Sequence, residues 1–108
     1  QRRAELADIR ARIDQEIRAA FLDLESATNQ IRVAESNRDV ARQNLDLTRQ
    51  RFEAGVADTA ELVQAQETLA TAEDDLITSA FSESLAKAEL ARAMGRAEET
   101  IVQMLGIK

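Results

Sequence analysis

Apolar side chains recur along the first half of the chain at alternating spacings of three and four residues. The recurring positions are Ile17, Ala20, Leu24, Ala27, Ile31, Ala34, Arg38, Ala41, Leu45, Thr48 and Phe52. Only Arg38 and Thr48 break the apolar character of this line. Heptad spacing of this kind predicts one continuous seam along an α-helix. Leu6, Ile9 and Ile13 extend the seam toward the N-terminus after one extra step of four residues.

The second half of the chain repeats the pattern. Its seam consists of Leu62, Ala65, Leu69, Ala72 and Leu76. Near Phe81 we expect the register to shift, so that the apolar face continues through Leu85, Ala88 and Ala91. A further apolar line runs beside each seam at intervals of seven residues: Val33, Val40 and Leu47 in the first half, and Val63, Ala70 and Ile77 in the second. One seam is enough for a two-helix hairpin, so the flanking lines predict that each helix has another neighbour.

The signals for a turn lie between the two patterns. Gly55 is placed as the residue after a helix end, where a left-handed backbone is needed. Asp58 stands three residues before Glu61, which is the pattern of a helix N-cap with a reciprocal acid. We therefore predict an all-α fold, a long antiparallel α-helical hairpin of the coiled-coil type.

The predicted hairpin forms a single domain over residues 1–108. We expect helices at about 3–53 and about 59–94, with the tip at 54–58. Gly95 is expected to close the second helix, and a short C-terminal helical segment is expected at about 97–105. A fifty-residue helix is roughly 75 Å long, which is too long for a compact domain of this size.

Composition narrows the possible functions. Charged residues make up 31% of the chain and aromatic residues 3%, and Trp, Tyr, Cys, His and Pro are absent, so a conventional globular core is not expected. Residues 1–53 carry ten basic and ten acidic side chains, whereas residues 54–108 carry four basic and ten acidic ones, which gives the net charge of −6. An acidic second half argues against nucleic acid as a partner.

No pattern of catalytic or cofactor-binding residues is found. The adjacent acids Glu73, Asp74 and Asp75 diverge by about 100° per residue on a helix and cannot converge on one metal ion. No nucleophile and base pair, phosphate-binding loop or redox motif is present. We therefore expect no enzyme, no metal site and no cofactor.

The stretch "RFEAGVADTAELVQAQ" at residues 51–66 resembles the signature of TolC-like outer-membrane efflux proteins. The matching positions are Arg51, Phe52, Gly55, Glu61, Leu62, Val63, Ala65 and Gln66. Upstream, Phe21, Leu22, Leu24 and Ala27 resemble the beginning of that family's first long helix. Downstream, "LAKAELARAMG" resembles its closing run, so the resemblance covers roughly residues 12–95.

The resemblance implies a trimeric channel of the Gram-negative envelope. In that family, helical hairpins stand together as an α-barrel across the periplasm, and their tips form the narrow entrance. The tips meet a periplasmic adaptor protein and, through it, an inner-membrane transporter. By this resemblance the chain is the periplasmic portion of an outer-membrane protein. We expect it to contact the membrane only through flanking strands, since no strand pattern occurs in this sequence.

The resemblance also supplies candidate site residues at the tip. The aperture residues are Asp58, Glu61 and Gln64. The adaptor-docking residues are Arg51, Phe52, Ala54, Gly55, Val56 and Ala57. The structural alternatives are that Asp58 and Glu61 serve only as a helix cap, that Phe52 packs across the last helical turn, and that Arg51 is solvated or pairs with a nearby acid.

Two other classes of protein remain open on sequence alone. A periplasmic adaptor, or membrane-fusion protein, contains a coiled-coil hairpin of similar length, although its tip pattern places Arg and Leu before the turn. A structural coiled coil without a transport role is the other alternative, which the doubled apolar lines disfavour. Gln64 and Ala60 depart from the efflux pattern, in which an acid and a larger apolar residue are common. We expect the isolated chain to self-associate, for example as a four-helix dimer.

Overall fold

The computed structural model describes residues 2–106 and contains two helices. Helix α1 spans Arg2–Glu53 and helix α2 spans Thr59–Met104, and residues 54–58 connect them. No strand occurs in this part of the chain. The fold is therefore an all-α helical hairpin, as the heptad pattern predicts.

Helix α2 passes through Gly95 without a break, so the prediction that Gly95 ends the helix is wrong. A glycine ends a helix by taking a positive φ, as Gly55 does at 76° and Gly106 at 69°, and Gly95 has no such backbone. Ala97 beyond it is buried, so the helix gains packing there that offsets the cost of a mid-helix glycine, about 1 kcal/mol. The expected separate segment at 97–105 is instead the last part of α2.

The hairpin is organised as two units, which we describe separately. The turn unit comprises Thr28–Phe81, and the terminal unit comprises residues 2–27 and 82–106. The buried side chains of the turn unit are Ala34, Ala41, Leu45, Thr48, Ala57, Ala65 and Ala72. Large and small residues alternate along both seams, and an alanine at every second seam position allows two helices to approach closely.

The two interruptions of the α1 seam are accommodated locally. Thr48 is buried, and its Oγ1 donates a 2.7 Å hydrogen bond to the carbonyl oxygen of Asn44 one turn earlier. Such back-bonding satisfies the hydroxyl without a partner on the other helix. The Arg38 side chain is largely covered, while its guanidinium reaches out to Asp39 with bonds of 3.2 and 3.0 Å. The aliphatic part of an arginine can thus fill a seam position.

The terminal unit corrects the predicted register of α2. Its buried residues are Ala20, Ala27, Ala86 and Ala97. Leu85, Ala88 and Ala91 are exposed, so the predicted shift near Phe81 does not occur. The spacing of three and four continues instead, with Glu83 partly buried in the terminal unit and Ser79 partly buried at the end of the turn unit. Because these seam positions hold polar residues, the apolar pattern alone indicated a different register.

Glu83 shows how a charged side chain is accommodated at a seam position. Its side chain is only 22% exposed, and its Oε1 lies 3.2 Å from the Nζ of Lys87 one turn later. The ion pair compensates the charge of a side chain that is largely covered at a seam position. The exposed residues Leu85, Ala88 and Ala91 therefore form a surface of α2 rather than part of the core.

Candidate functional site: the turn and the exposed faces

The turn at residues 54–58 begins with a complete Schellman motif. The N–H of Gly55 donates to the carbonyl oxygen of Phe52 at 3.0 Å, and the N–H of Val56 donates to that of Arg51 at 2.8 Å. Together with the positive φ of Gly55, these bonds satisfy the last carbonyls of α1. The N–H of Ala57 adds a second bond to the carbonyl oxygen of Arg51, at 3.2 Å. Arg51 therefore anchors both residues that follow the glycine.

Helix α2 begins with the predicted N-cap. The Oδ1 of Asp58 accepts a 2.8 Å hydrogen bond from the backbone N–H of Glu61, which satisfies one of the free donors at the helix start. The reciprocal half of the predicted capping pattern is not formed. The Oε2 of Glu61 lies instead 3.4 Å from the Nη1 of Arg51, so this carboxylate is paired across the turn.

Arg51 and Glu61 are well placed electrostatically. Arg51 is the basic residue in the last turn of α1, and Glu61 is the acidic residue in the first turn of α2. Each charge therefore opposes the partial charge at its own helix end. The sequence indicated that Arg51 could pair with an acid near the tip, but it did not identify which one. The structure identifies it as Glu61, which the turn brings close to the end of α1.

The predicted docking residues differ in accessibility. Phe52, Ala54, Gly55 and Val56 are exposed, as is Arg51. Val56 is 67% exposed, because the Schellman position that often provides an apolar contact for this residue is occupied by Arg51.

Ala57 does not share this exposure. Its relative exposure is 8%, so its side chain faces the interior of the turn unit. This corrects the expectation that Ala57 contributes a side chain to the docking surface. The accessible apex of the turn thus consists of the exposed docking residues without Ala57.

Each helix of the turn unit also presents an exposed apolar line. On α1 the line comprises Val33, Val40 and Leu47, and on α2 it comprises Val63, Ala70 and Ile77. Val40 is 63% exposed and Ile77 is 68% exposed. The sequence predicted both lines from the seven-residue spacing. Stripes of exposed aliphatic residues on neighbouring elements mark surfaces that other proteins cover.

An open groove of about 620 Å³ lies beside the seam of the turn unit. Apolar atoms form most of its surface, although most of its lining residues have polar side chains and two of them are carboxylates: Asn37, Val40, Ala41, Asn44, Gln64, Glu67, Thr68, Thr71, Ala72 and Asp75. Gln64, a predicted aperture residue, therefore lines this groove, one helical turn beyond Glu61. Its carbonyl oxygen accepts a 2.9 Å bond from the Oγ1 of Thr68. The sequence signal for the groove was the polar side chains next to the α1 apolar line.

The described residues provide neither a metal centre nor a membrane-spanning helix. Within residues 2–106, no group of three or more His, Cys, Asp or Glu side chains is arranged to hold a metal ion. In the same range, neither helix combines the length and the apolar character that crossing a membrane requires. The features available for function are thus the turn, the two apolar lines and the groove.

Comparison with known families identifies the family of the chain. The family model described as outer membrane efflux protein matches residues 1–96. The chain therefore belongs to the outer membrane efflux protein family, as the resemblance of the turn sequence predicted. Searches of curated proteins and of solved structures found no significant match to the chain. Family membership favours the efflux interpretation over a periplasmic adaptor or a structural coiled coil.

Proposed function

We propose that the chain is a periplasmic wall segment of a trimeric outer-membrane efflux channel. The observation that carries this proposal is the exposed apolar line on each helix of the turn unit. A helix in the wall of a tube has two neighbours, and the seam between α1 and α2 accounts for one of them. The exposed lines provide for the second, since a stable contact between copies buries aliphatic side chains.

The proposal places the turn at the entrance of the channel. Asp58 and Glu61 are exposed carboxylates at one end of α2, and a ring of such groups at a constriction favours cations over anions. Gln64 lies one helical turn further along α2. The proposal also assigns adaptor docking to the exposed apex, in which Val56 is more exposed than Phe52, at 67% against 40%.

Site-specific crosslinking in the full-length protein tests the docking assignment. A photoreactive amino acid at Val56, in cells that express a cognate periplasmic adaptor, should form an adduct with that adaptor. The matched control carries the same group at Gln43, which is exposed on α1 away from the turn. Equal adaptor adducts at the two positions, or adducts at Gln43 only, would refute docking through the apex.

A functional variant complements the crosslinking. Val56→Asp puts a charge on an exposed apolar apex without disturbing the hydrogen bonds of the turn, which involve its backbone. We expect loss of efflux, measured as increased sensitivity of the cells to exported compounds, at an unchanged level of protein in the outer membrane. Gln43→Asp should leave efflux unchanged.

A further inference from the structure

We propose that Arg51 sets the charge that the turn presents, because it neutralises the Glu61 carboxylate of its own chain. This inference rests on the proposed function and deepens it by naming a residue that determines the ion selectivity of the entrance. It also changes the expected roles of the two acids. Asp58 supplies the net charge, and the charges of Arg51 and Glu61 cancel as long as both side chains are present.

The position of Arg51 is fixed through its backbone. Its carbonyl oxygen accepts hydrogen bonds from Val56 and Ala57, at 2.8 and 3.2 Å, so the start of the turn is tied to this residue. The backbone position from which the Arg51 side chain extends is therefore fixed. Replacing the side chain leaves both of these backbone bonds available.

The position of Glu61 is fixed in a similar way from the other helix. Its N–H is bonded to Oδ1 of Asp58 at 2.8 Å, which holds it in the first turn of α2. The 3.4 Å approach of its Oε2 to Nη1 of Arg51 thus joins two side chains that are each anchored by their helix end. The ion pair connects the end of α1 to the start of α2.

The pair affects electrostatics more than stability. The two side chains are 53% and 48% exposed, and exposed ion pairs contribute little to folding. A cation and an anion this close nevertheless act together as a dipole, whose potential falls off with distance faster than that of a single charge. Within residues 2–106 the structure records no ion pair for Asp58, so its charge acts on passing ions without such compensation.

Ion selectivity of the full-length channel, reconstituted in planar bilayers, tests this assignment. Arg51→Gln should expose the charge of Glu61 and raise the ratio of cation to anion permeability by roughly four-fold, because one unit charge about 10 Å from the ion path in water favours the cation and disfavours the anion by about two-fold each. Glu61→Gln should expose the charge of Arg51 and lower the ratio by a similar factor. The double variant should return close to the wild-type ratio, and Arg51→Lys should keep it.

The controls separate pairing from a general effect of charge. Arg49→Gln removes the same charge two residues earlier, where no contact with Glu61 exists, and should change the ratio much less. All of these differences should shrink between 0.1 and 1 M salt, where the Debye length falls from about 10 to about 3 Å. A double variant whose ratio differs clearly from that of the wild type would overturn the inference, as would equal shifts from Arg49→Gln and Arg51→Gln.

One further variant distinguishes this inference from the proposed function. Asn is a good N-cap residue, so Asp58→Asn removes a charge and keeps the start of α2. A lower cation preference in Asp58→Asn is expected if the turn lies at the entrance. If Asp58→Asn changes selectivity but the shifts of Arg51→Gln and Glu61→Gln do not cancel in the double variant, the charge compensation is refuted and the placement of the turn stands. If none of the variants changes selectivity, the turn does not line the entrance and the proposed function fails with the inference.

Discussion

Gly55 and Gly95 differ in backbone conformation, although both have open space where a Cβ would lie. Gly55 has a φ of 76°, which L-residues rarely adopt. Gly55→Ala should therefore destabilise the chain by about 1 kcal/mol through backbone strain alone. Urea unfolding followed by circular dichroism, at one fixed protein concentration, measures this change.

Gly95→Ala is expected to stabilise the chain. Gly95 lies inside helix α2, and no atom within 4 Å would obstruct an added methyl group. Alanine in a helix interior is favoured over glycine by about 1 kcal/mol, since it restricts the unfolded chain more. The same unfolding experiment should show a higher midpoint. A lower midpoint would mean that Gly95 is required for a contact that a methyl group blocks.

Asp58 adds a third prediction at the scale of single residues. Asp58→Ala removes the acceptor for the N–H of Glu61 and should reduce the free energy of unfolding by about 1 kcal/mol. Asp58→Asn should be nearly neutral, because an amide oxygen accepts the same bond. If both substitutions have the same effect, the carboxylate charge near the helix start, rather than the cap, is responsible.

At the scale of helices, position relative to the seam decides how much a leucine contributes. Leu45 is 5% exposed in the α1 seam, whereas Leu47, two residues later, is 59% exposed on the apolar line. Leu45→Ala should lower the free energy of unfolding by about 2–3 kcal/mol, because it leaves a cavity between the helices. Urea unfolding at concentrations where the chain is monomeric provides the measurement.

Leu47→Ala is the matched control, since it removes the same atoms from the same helix. At these concentrations it should change the free energy of unfolding by less than about 0.5 kcal/mol. Its effect should emerge only as weaker self-association at higher concentration. Equal destabilisation by the two substitutions would contradict the assignment of Leu45 to the seam and Leu47 to the exposed line.

The helices also show what the sequence could and could not predict. The α1 seam was predictable because its large apolar residues keep one period over many turns, and the turn was predictable from Gly55 and Asp58. The register of α2 beyond Phe81 was not predictable, because Ser79 and Glu83 occupy seam positions while nearby apolar residues lie outside the seam. The apolar residues in this part of α2 indicated the wrong face of the helix, whereas the packing follows the continuous heptad period.

At the candidate site, too, the sequence predicted the local contact but not the contacts that depend on how the turn folds. The cap of Asp58 is a local bond and could be read from a spacing of three residues. The pairing of Glu61 with Arg51 joins two helices, so it depends on how the Schellman motif orients α2 relative to the end of α1. The burial of Ala57 likewise depends on how the turn folds back, which neighbouring residues alone do not specify.

For the molecule as a whole, the arrangement of the two apolar lines in the turn unit suggests how copies associate. Val40 of the α1 line borders the groove together with Thr68 and Asp75 of α2. At 100° per residue, Ile77 of the α2 line points well away from Thr68 and Asp75. The two lines therefore lie on opposite faces of the turn unit. A heterologous contact, in which α1 of one copy meets α2 of the next, buries both kinds of line.

The last prediction tests this arrangement in the isolated chain. Sedimentation velocity should show self-association that increases with concentration, and Val40→Asp combined with Ile77→Asp should reduce it without loss of helix content. The sequence contains no cysteine, so single cysteines introduced on each line can be crosslinked selectively. A mixture of Val40→Cys and Ile77→Cys chains should give more crosslinked dimer with a short bifunctional maleimide than either variant alone. Predominant crosslinking of Val40→Cys with itself would indicate an isologous dimer, and a strict monomer at high concentration would remove the argument for a wall segment altogether.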